Sequence, residues 1–260
     1  MKSSAWTEMW RKGWPPVGTV ILLLFLWQAA VSWFGIESFM LPGPLQIVTE
    51  LWDQLPRISG HLSFTLEITL IGFAIGTSTG IILACILHLI PGVKQAFYPL
   101  LLLSQNIPMI ALAPLLMIWF GFGLLPKVIV ITLVCFFPIA VSAMDGFAQA
   151  DRSIMNYMKM IGASKLQLFT KVEFPGALPS LFSGVKISAT YSIMGAVIAE
   201  WLGSDKGIGV YMLLAKSSFR TDRVFVSMFI IVILSMLLFS LILLLERFMF
   251  RWKRKWGAVR

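Results

Sequence analysis

His61 and His88 are the only imidazoles, and Cys85 and Cys135 the only thiols, in this chain of 260 residues. A catalytic metal needs several such ligands together, and a side-chain nucleophile needs a base beside it. The two histidines stand far apart, neither beside a carboxylate pair, and both cysteines lie in apolar runs that suit buried thiols rather than a disulfide. No Gly-x-x-x-x-Gly-Lys-Ser/Thr occurs, so the chain has no loop of that kind to cradle nucleotide phosphates. Gly121-Phe122-Gly123 and Gly207-Ile208-Gly209 are short turns without the strand and helix of a phosphate site. The residues give an intramembrane enzyme no support. A stand-alone carrier or channel would show buried charge relays or inverted sequence halves, and neither is evident.

The polar groups that remain suit contact with a solute or with another helix. Ser104, Gln105 and Asn106 stand in a charge-free stretch beside Pro108 and Pro114. A polar, proline-interrupted helix at membrane depth faces either a cavity or a neighbouring helix. Ser188 and Tyr191 raise the same alternative, pathway or core packing. Glu200, followed by Trp201, is close to the end of an apolar run, where an unpaired carboxylate would be costly. It serves as an outer gate or docking group facing water or a partner, or as half of a structural ion pair.

The elements that position these groups are membrane helices. Hydrophobic residues make up 58% and charged residues 13%, with a mean hydropathy of +0.86; a soluble domain carries about a quarter charged residues. Six runs can cross the roughly 30 Å of hydrocarbon: Val17–Gly35, Ile68–Ile90, one inside Gln95–Pro126, Val128–Met144, Leu181–Leu202 and Val224–Leu245. The expected fold is all-α and integral to the membrane. With both termini cytoplasmic, the inner segments carry 14 Lys and Arg and the outer segments six, with Lys186 inside the fifth span. That bias gives the orientation, and it accounts for a net charge of +9 without nucleic acid.

Residues 1–16 read as an interfacial cytoplasmic segment, 17–250 as the membrane domain and 251–260 as a basic cytoplasmic tail. Trp6, Trp10 and Trp14 share one face of a short helix expected to stop at Pro15-Pro16. Arg251-Trp252-Lys253-Arg254-Lys255-Trp256 interleaves indoles with cations, a pattern for lipid headgroups. Gly72, Gly76 and Gly80 put a small-residue stripe on one face of the second span, for close helix packing or for flexing.

Residues 145–180 are too long for a helix-to-helix turn. Asp151 or Ser153 can cap a short helix carrying Ile154, Tyr157, Met158 and Ile161 at helical spacing. Gly162 then supplies a left-handed position, Ser164-Lys165-Leu166-Gln167 is a capping box, and Pro175 is expected to stop the second helix. This knuckle either lies on lipid or docks a soluble partner.

Gly162, nine residues, then Val172-Glu173-Phe174-Pro175 resembles the cytoplasmic loop of bacterial ABC importer permeases, which runs Glu-Ala-Ala, three residues, Gly, nine residues, Ile-x-Leu-Pro. Gly162-Ala163-Ser164 and Phe174-Pro175-Gly176-Ala177-Leu178-Pro179 continue the likeness. The chain departs from it where Asn156-Tyr157-Met158 replace Glu-Ala-Ala, so Asn156 can only hydrogen-bond there. Pro114–Gly123, Phe136-Phe137-Pro138-Ile139, Met144-Asp145-Gly146 and Glu200-Trp201-Leu202-Gly203 resemble the nitrate, sulfonate, taurine and thiamine-precursor permeases. Ser217-Ser218-Phe219-Arg220-Thr221-Asp222-Arg223 is most similar to the branch importing thiamine pyrimidines, such as hydroxymethylpyrimidine or formylaminopyrimidine.

The resemblance implies a type I importer permease that pairs with a second copy. Two cytoplasmic ATPase subunits would carry ATP and Mg, leaving this chain without a cofactor, and an extracytoplasmic solute-binding protein would deliver the solute. It further implies that Asn156, Tyr157, Met158, Ile161, Gly162, Ala163, Ser164, Leu166, Val172, Phe174 and Pro175 form the ATPase-coupling loop.

Overall fold

In lipid the backbone must satisfy its own hydrogen bonds, and apolar runs of this length do so as helices. The computed structural model describes residues 4–90 and 92–250, with side chains at 15 and from 17 onward. The basic tail and the side chains of Trp6, Trp10 and Trp14 lie outside the described residues.

Ten α-helices follow in order among the described residues: α1 Ser4–Phe34, α2 Pro44–Leu89, α3 Val93–Ser104, α4 Met109–Phe120, α5 Leu124–Ala148, α6 Arg152–Met160, α7 Lys165–Leu168, α8 Phe174–Trp201, α9 Ile208–Ser217 and α10 Thr221–Met249. A π-helical turn, Phe169–Glu173, joins α7 to α8. No strand occurs among these residues. Five helical stretches are long and apolar enough to cross a membrane, and α3 with α4 forms a further candidate bent by 100°.

Three boundaries differ from those expected. α1 runs through Pro15-Pro16 instead of stopping there; proline's φ is helical, and its cost is a missing donor and a crowded carbonyl. α2 begins at Pro44 rather than Ile68, because Glu50, Asp53, Arg57 and Glu67 argue against burial in lipid and not against a helix. Pro175 does not end a helix, since α7 continues through the π turn into α8 with proline in the first turn of α8. Proline is tolerated there.

The chain divides into two compact units, residues 1–59 with 211–229, and residues 60–210 with 230–260. In the first, Gln28 Oε1 accepts from the Leu45 N–H at 3.2 Å and Trp27 packs on Phe225. Thr221 Oγ1 donates to the Phe39 carbonyl.

In the second unit α5 lies between α2 and α8. The Gly72, Gly76 and Gly80 stripe is what brings α2 in. A Cβ at Gly72 would fall 2.6 Å from Ile131, one at Gly76 2.6 Å from Cys135, and one at Gly80 2.7 Å from the Phe136 carbonyl. Small residues permit this approach where water supplies no drive. On the other side, Gly184 of α8 meets Pro138 and Ser142, and Ala140, Ala143 and Ala189 are fully buried.

Contacts in this unit also fix what the bent pair does. His88, at the end of α2, bonds Glu173 just before α8, whereas Lys127, at the start of α5, bonds Gly203 just beyond α8. Those partners flank opposite ends of α8, so α3 and α4 together carry the chain across this unit. The Phe182–Phe250 ring contact puts the end of α10 near the start of α8.

Candidate coupling loop and translocation site

Local chemistry builds the knuckle turn by turn. Asp151 caps α6, accepting from the Ser153 N–H at 2.8 Å and the Ile154 N–H at 3.3 Å. Gly162 then takes φ +83°, and the Gly162 and Ala163 N–H groups donate to the Lys159 and Met158 carbonyls. A Cβ at Gly162 would meet nothing within 4 Å, so the dihedral and not space calls for glycine. Ser164 Oγ accepts from the Gln167 N–H at 3.3 Å while Gln167 Oε1 accepts from the Ser164 N–H at 2.8 Å, completing the capping box.

Tyr157, Ile161 and Leu166 are exposed, as is Met160 at 79%. Asn156 and Ser164 are exposed too, while Met158, Ala163, Val172, Phe174 and Pro175 are half-buried. The loop thus presents exposed apolar side chains on both sides of a fixed turn. Met160 was missed by the sequence reading, although its spacing three residues after Tyr157 puts it on that face. Leu168 and Phe169 are buried, and Phe169 joins the main core cluster.

The pathway candidates do not come together. Ser104 Oγ donates to the Leu101 carbonyl at 2.8 Å and Asn106 Nδ2 to the Leu102 carbonyl at 3.2 Å. Both act on backbone groups at the break between α3 and α4, leaving Gln105 exposed there. Ser188 is fully buried and donates to the Cys135 carbonyl at 2.7 Å, between α8 and α5. Tyr191, three residues further on, is exposed at 47%. Lys186, in the same helix, donates to Glu246 Oε2 of α10 at 2.8 Å.

Glu200 takes its partners within the chain rather than water. It is 1% exposed. Its Oε1 accepts from Thr65 Oγ1 and its Oε2 from the Gly209 N–H, both at 2.7 Å. Thr65 Oγ1 in turn accepts from the Ile208 N–H at 2.9 Å, and His61 Nδ1 from the Gly207 N–H at 3.1 Å. Lys127 Nζ donates to the Gly203 carbonyl at 3.3 Å and the Gly123 carbonyl at 2.8 Å. Side chains from α2, α5 and α8 therefore hold the Gly203–Gly209 turn by its backbone. Trp201, beside Glu200, is exposed at 37%.

Two motifs are absorbed by structure. Gly76-Thr77-Ser78-Thr79-Gly80 has the Gly-x-Ser-x-Gly spacing of a hydrolase elbow, a motif that the sequence reading took to be absent. It lies inside α2, where Ser78 Oγ donates to the Ala74 carbonyl and no strand-to-helix turn lifts the serine. In the 217–223 motif, Arg220 bonds Asp222 and Glu50, and Arg223 bonds Glu50 at 2.7 Å. Its charges are occupied within the first unit.

Comparison with known proteins agrees with this architecture. The family of binding-protein-dependent transport system inner membrane components matches residues 76–255. The formylaminopyrimidine transport permease ThiX of Halalkalibacterium halodurans is 36% identical over 236 residues, covering 90% of this chain and 94% of that protein. The riboflavin transport system permease RibX of Chloroflexus aurantiacus is 35% identical over 245 residues, covering 92% and 91%. The crystal structure of an amino acid ABC transporter shares the fold, with a TM-score of 0.63 at 15% identity over 77% of this chain and 97% of that one. The chain belongs to the binding-protein-dependent transport system inner membrane components, the permease subunits of ABC importers.

Proposed function

We propose that residues 145–180 are the element through which this permease is driven by ATP, and that its solute is a pyrimidine precursor of thiamine. Membership of the family makes the chain a membrane transport subunit rather than an enzyme, working with a separate ATPase and a binding protein. In our reading two copies pair, each knuckle seats on one ATPase subunit, and both termini lie on the cytoplasmic side.

The observation that carries the coupling reading is the exposed apolar group of Tyr157, Met160, Ile161 and Leu166, held by a capped turn at Gly162. Gly162→Val tests it, because a β-branched residue at φ +83° is a severe outlier. Purified complex carrying Val there is expected to keep binding-protein docking and to lose ATPase association or transport-linked ATP hydrolysis. Asn156→Ala, which removes no charge, should be much milder. Normal ATPase binding and transport with Val at 162 would overturn the assignment.

The pyrimidine reading is supported by the likeness to ThiX. A riboflavin reading has nearly equal support from RibX, and aliphatic sulfonate, taurine or nitrate is the next alternative. Uptake of labelled formylaminopyrimidine, riboflavin and taurine by cells with and without the permease separates them. Permease-dependent uptake of riboflavin or taurine alone would remove the pyrimidine assignment.

A further inference from the structure

The inner end of α2 is tied to the coupling loop by a polar pair that the family likeness does not assign. His88 Nε2 lies 2.9 Å from Glu173 Oε2, and the two side chains are 22% and 16% exposed. Where the Glu173 carboxylate accepts, Nε2 is the donor. The imidazole also packs against Phe147 of α5, 4.8 Å between centroids, and Phe169 of the π turn, 5.8 Å away. Phe169 meets Phe147 and Phe174 edge-on. A cavity of about 320 Å³ beside the pair is lined by Met155, Lys159, Lys165 and Leu168, so the charged groups around His88 are Glu173, Lys159 and Lys165.

The positions of the two residues matter as much as the bond. Glu173 closes the π turn, the last residue of the loop before α8 begins. His88 is in the last turn of α2. Further along α2, His61 and Thr65 hold the backbone of Gly207 and Ile208 in the outer turn. The loop therefore reaches that turn by two routes, along α8 by covalent continuity and along α2 through the His88 side chain. Packing alone would be met by the phenylalanine cluster, whereas a partly buried polar pair costs desolvation and brings directionality.

We propose that His88 and Glu173 are positioning residues for transport, making α2 move with the coupling loop so that the outer turn is driven through two helices. This rests on the coupling role of residues 145–180 proposed above. The test uses the full transporter in proteoliposomes, measuring solute imported per ATP hydrolysed and, separately, ATPase association. His88→Leu should keep ATPase association and ATP hydrolysis but lower the solute-to-ATP ratio by about tenfold, the scale of one lost hydrogen bond to a charged group, and Glu173→Leu should lower that ratio as much. His88→Gln, whose amide can donate near the place of Nε2, should restore most of the ratio, which bulk at residue 88 alone would not do. An unchanged ratio in His88→Leu, or a loss that His88→Gln shares fully, would overturn the proposal. If Gly162→Val uncouples while His88→Leu does not, this inference alone fails; if neither uncouples, the coupling reading fails with it.

Discussion

Glu200 leaves no space for a side chain at residue 207: a Cβ there would lie 2.1 Å from the carboxylate carbon. Gly207 also sits at φ +124°, so space and dihedral both select glycine. The consequence is a carboxylate, expected as an outer gate or docking group or half of an ion pair, held instead by Thr65 and the Gly209 N–H.

Gly207→Ala should therefore push Glu200 off the Gly209 N–H and Thr65, and Glu200→Ala should strand those same donors. Each substitution is expected to destabilise the protein by about 2 kcal/mol or more, as for buried polar groups that lose their partners. Glu200→Gln keeps one carbonyl acceptor and should fall between these and the parent. Melting of the detergent-purified transporter measures the order, and equal melting temperatures across the series would contradict the anchoring role.

At the break between α3 and α4, Ser104 and Asn106 bond nearby carbonyls, whereas Gln105 is exposed. Gln105→Leu should lower the initial rate of uptake by about tenfold if the amide meets solute, the scale of a hydrogen bond worth about 1.4 kcal/mol. Ser104→Ala, which removes a bond to the helix's own carbonyl, should change uptake less than twofold, within about 0.4 kcal/mol. Expression and complex assembly serve as controls. Unchanged uptake with Leu at 105 would leave this amide no pathway role.

The crossing made by α3 and α4 can be read with single cysteines in a background lacking Cys85 and Cys135. Lys94→Cys and Ser164→Cys should react only from the cytoplasm, and Phe122→Cys and Lys206→Cys only from outside. Labelling of residues 94 and 122 from the same side would make the bent pair re-entrant and leave five crossings.

Much of this was legible because it is local. Asp151, Gly162 and the Ser164–Gln167 box act within four residues, so side-chain chemistry reveals them without a fold. The Gly72, Gly76 and Gly80 stripe follows from helical period alone, although its partners on α5 do not. Glu200 and Thr65 lie 135 residues apart and His88 and Glu173 lie 85 apart; no local pattern relates them. Pro175 misled in the opposite way, since a residue that usually ends a helix can equally begin one, and only the π turn before it decides.

The helical run from Lys165 to Trp201, with the π turn inside it, spans 37 residues. At about 1.5 Å per residue this is roughly 55 Å, with the exposed knuckle at one end and the anchored Gly203–Gly209 turn at the other. Over that length a rotation of about 5° about one end would sweep the other through about 5 Å. That distance is close to the width of one heteroaromatic ring. A small angular stroke applied at the knuckle would thus be geared into a displacement on the scale of a small solute.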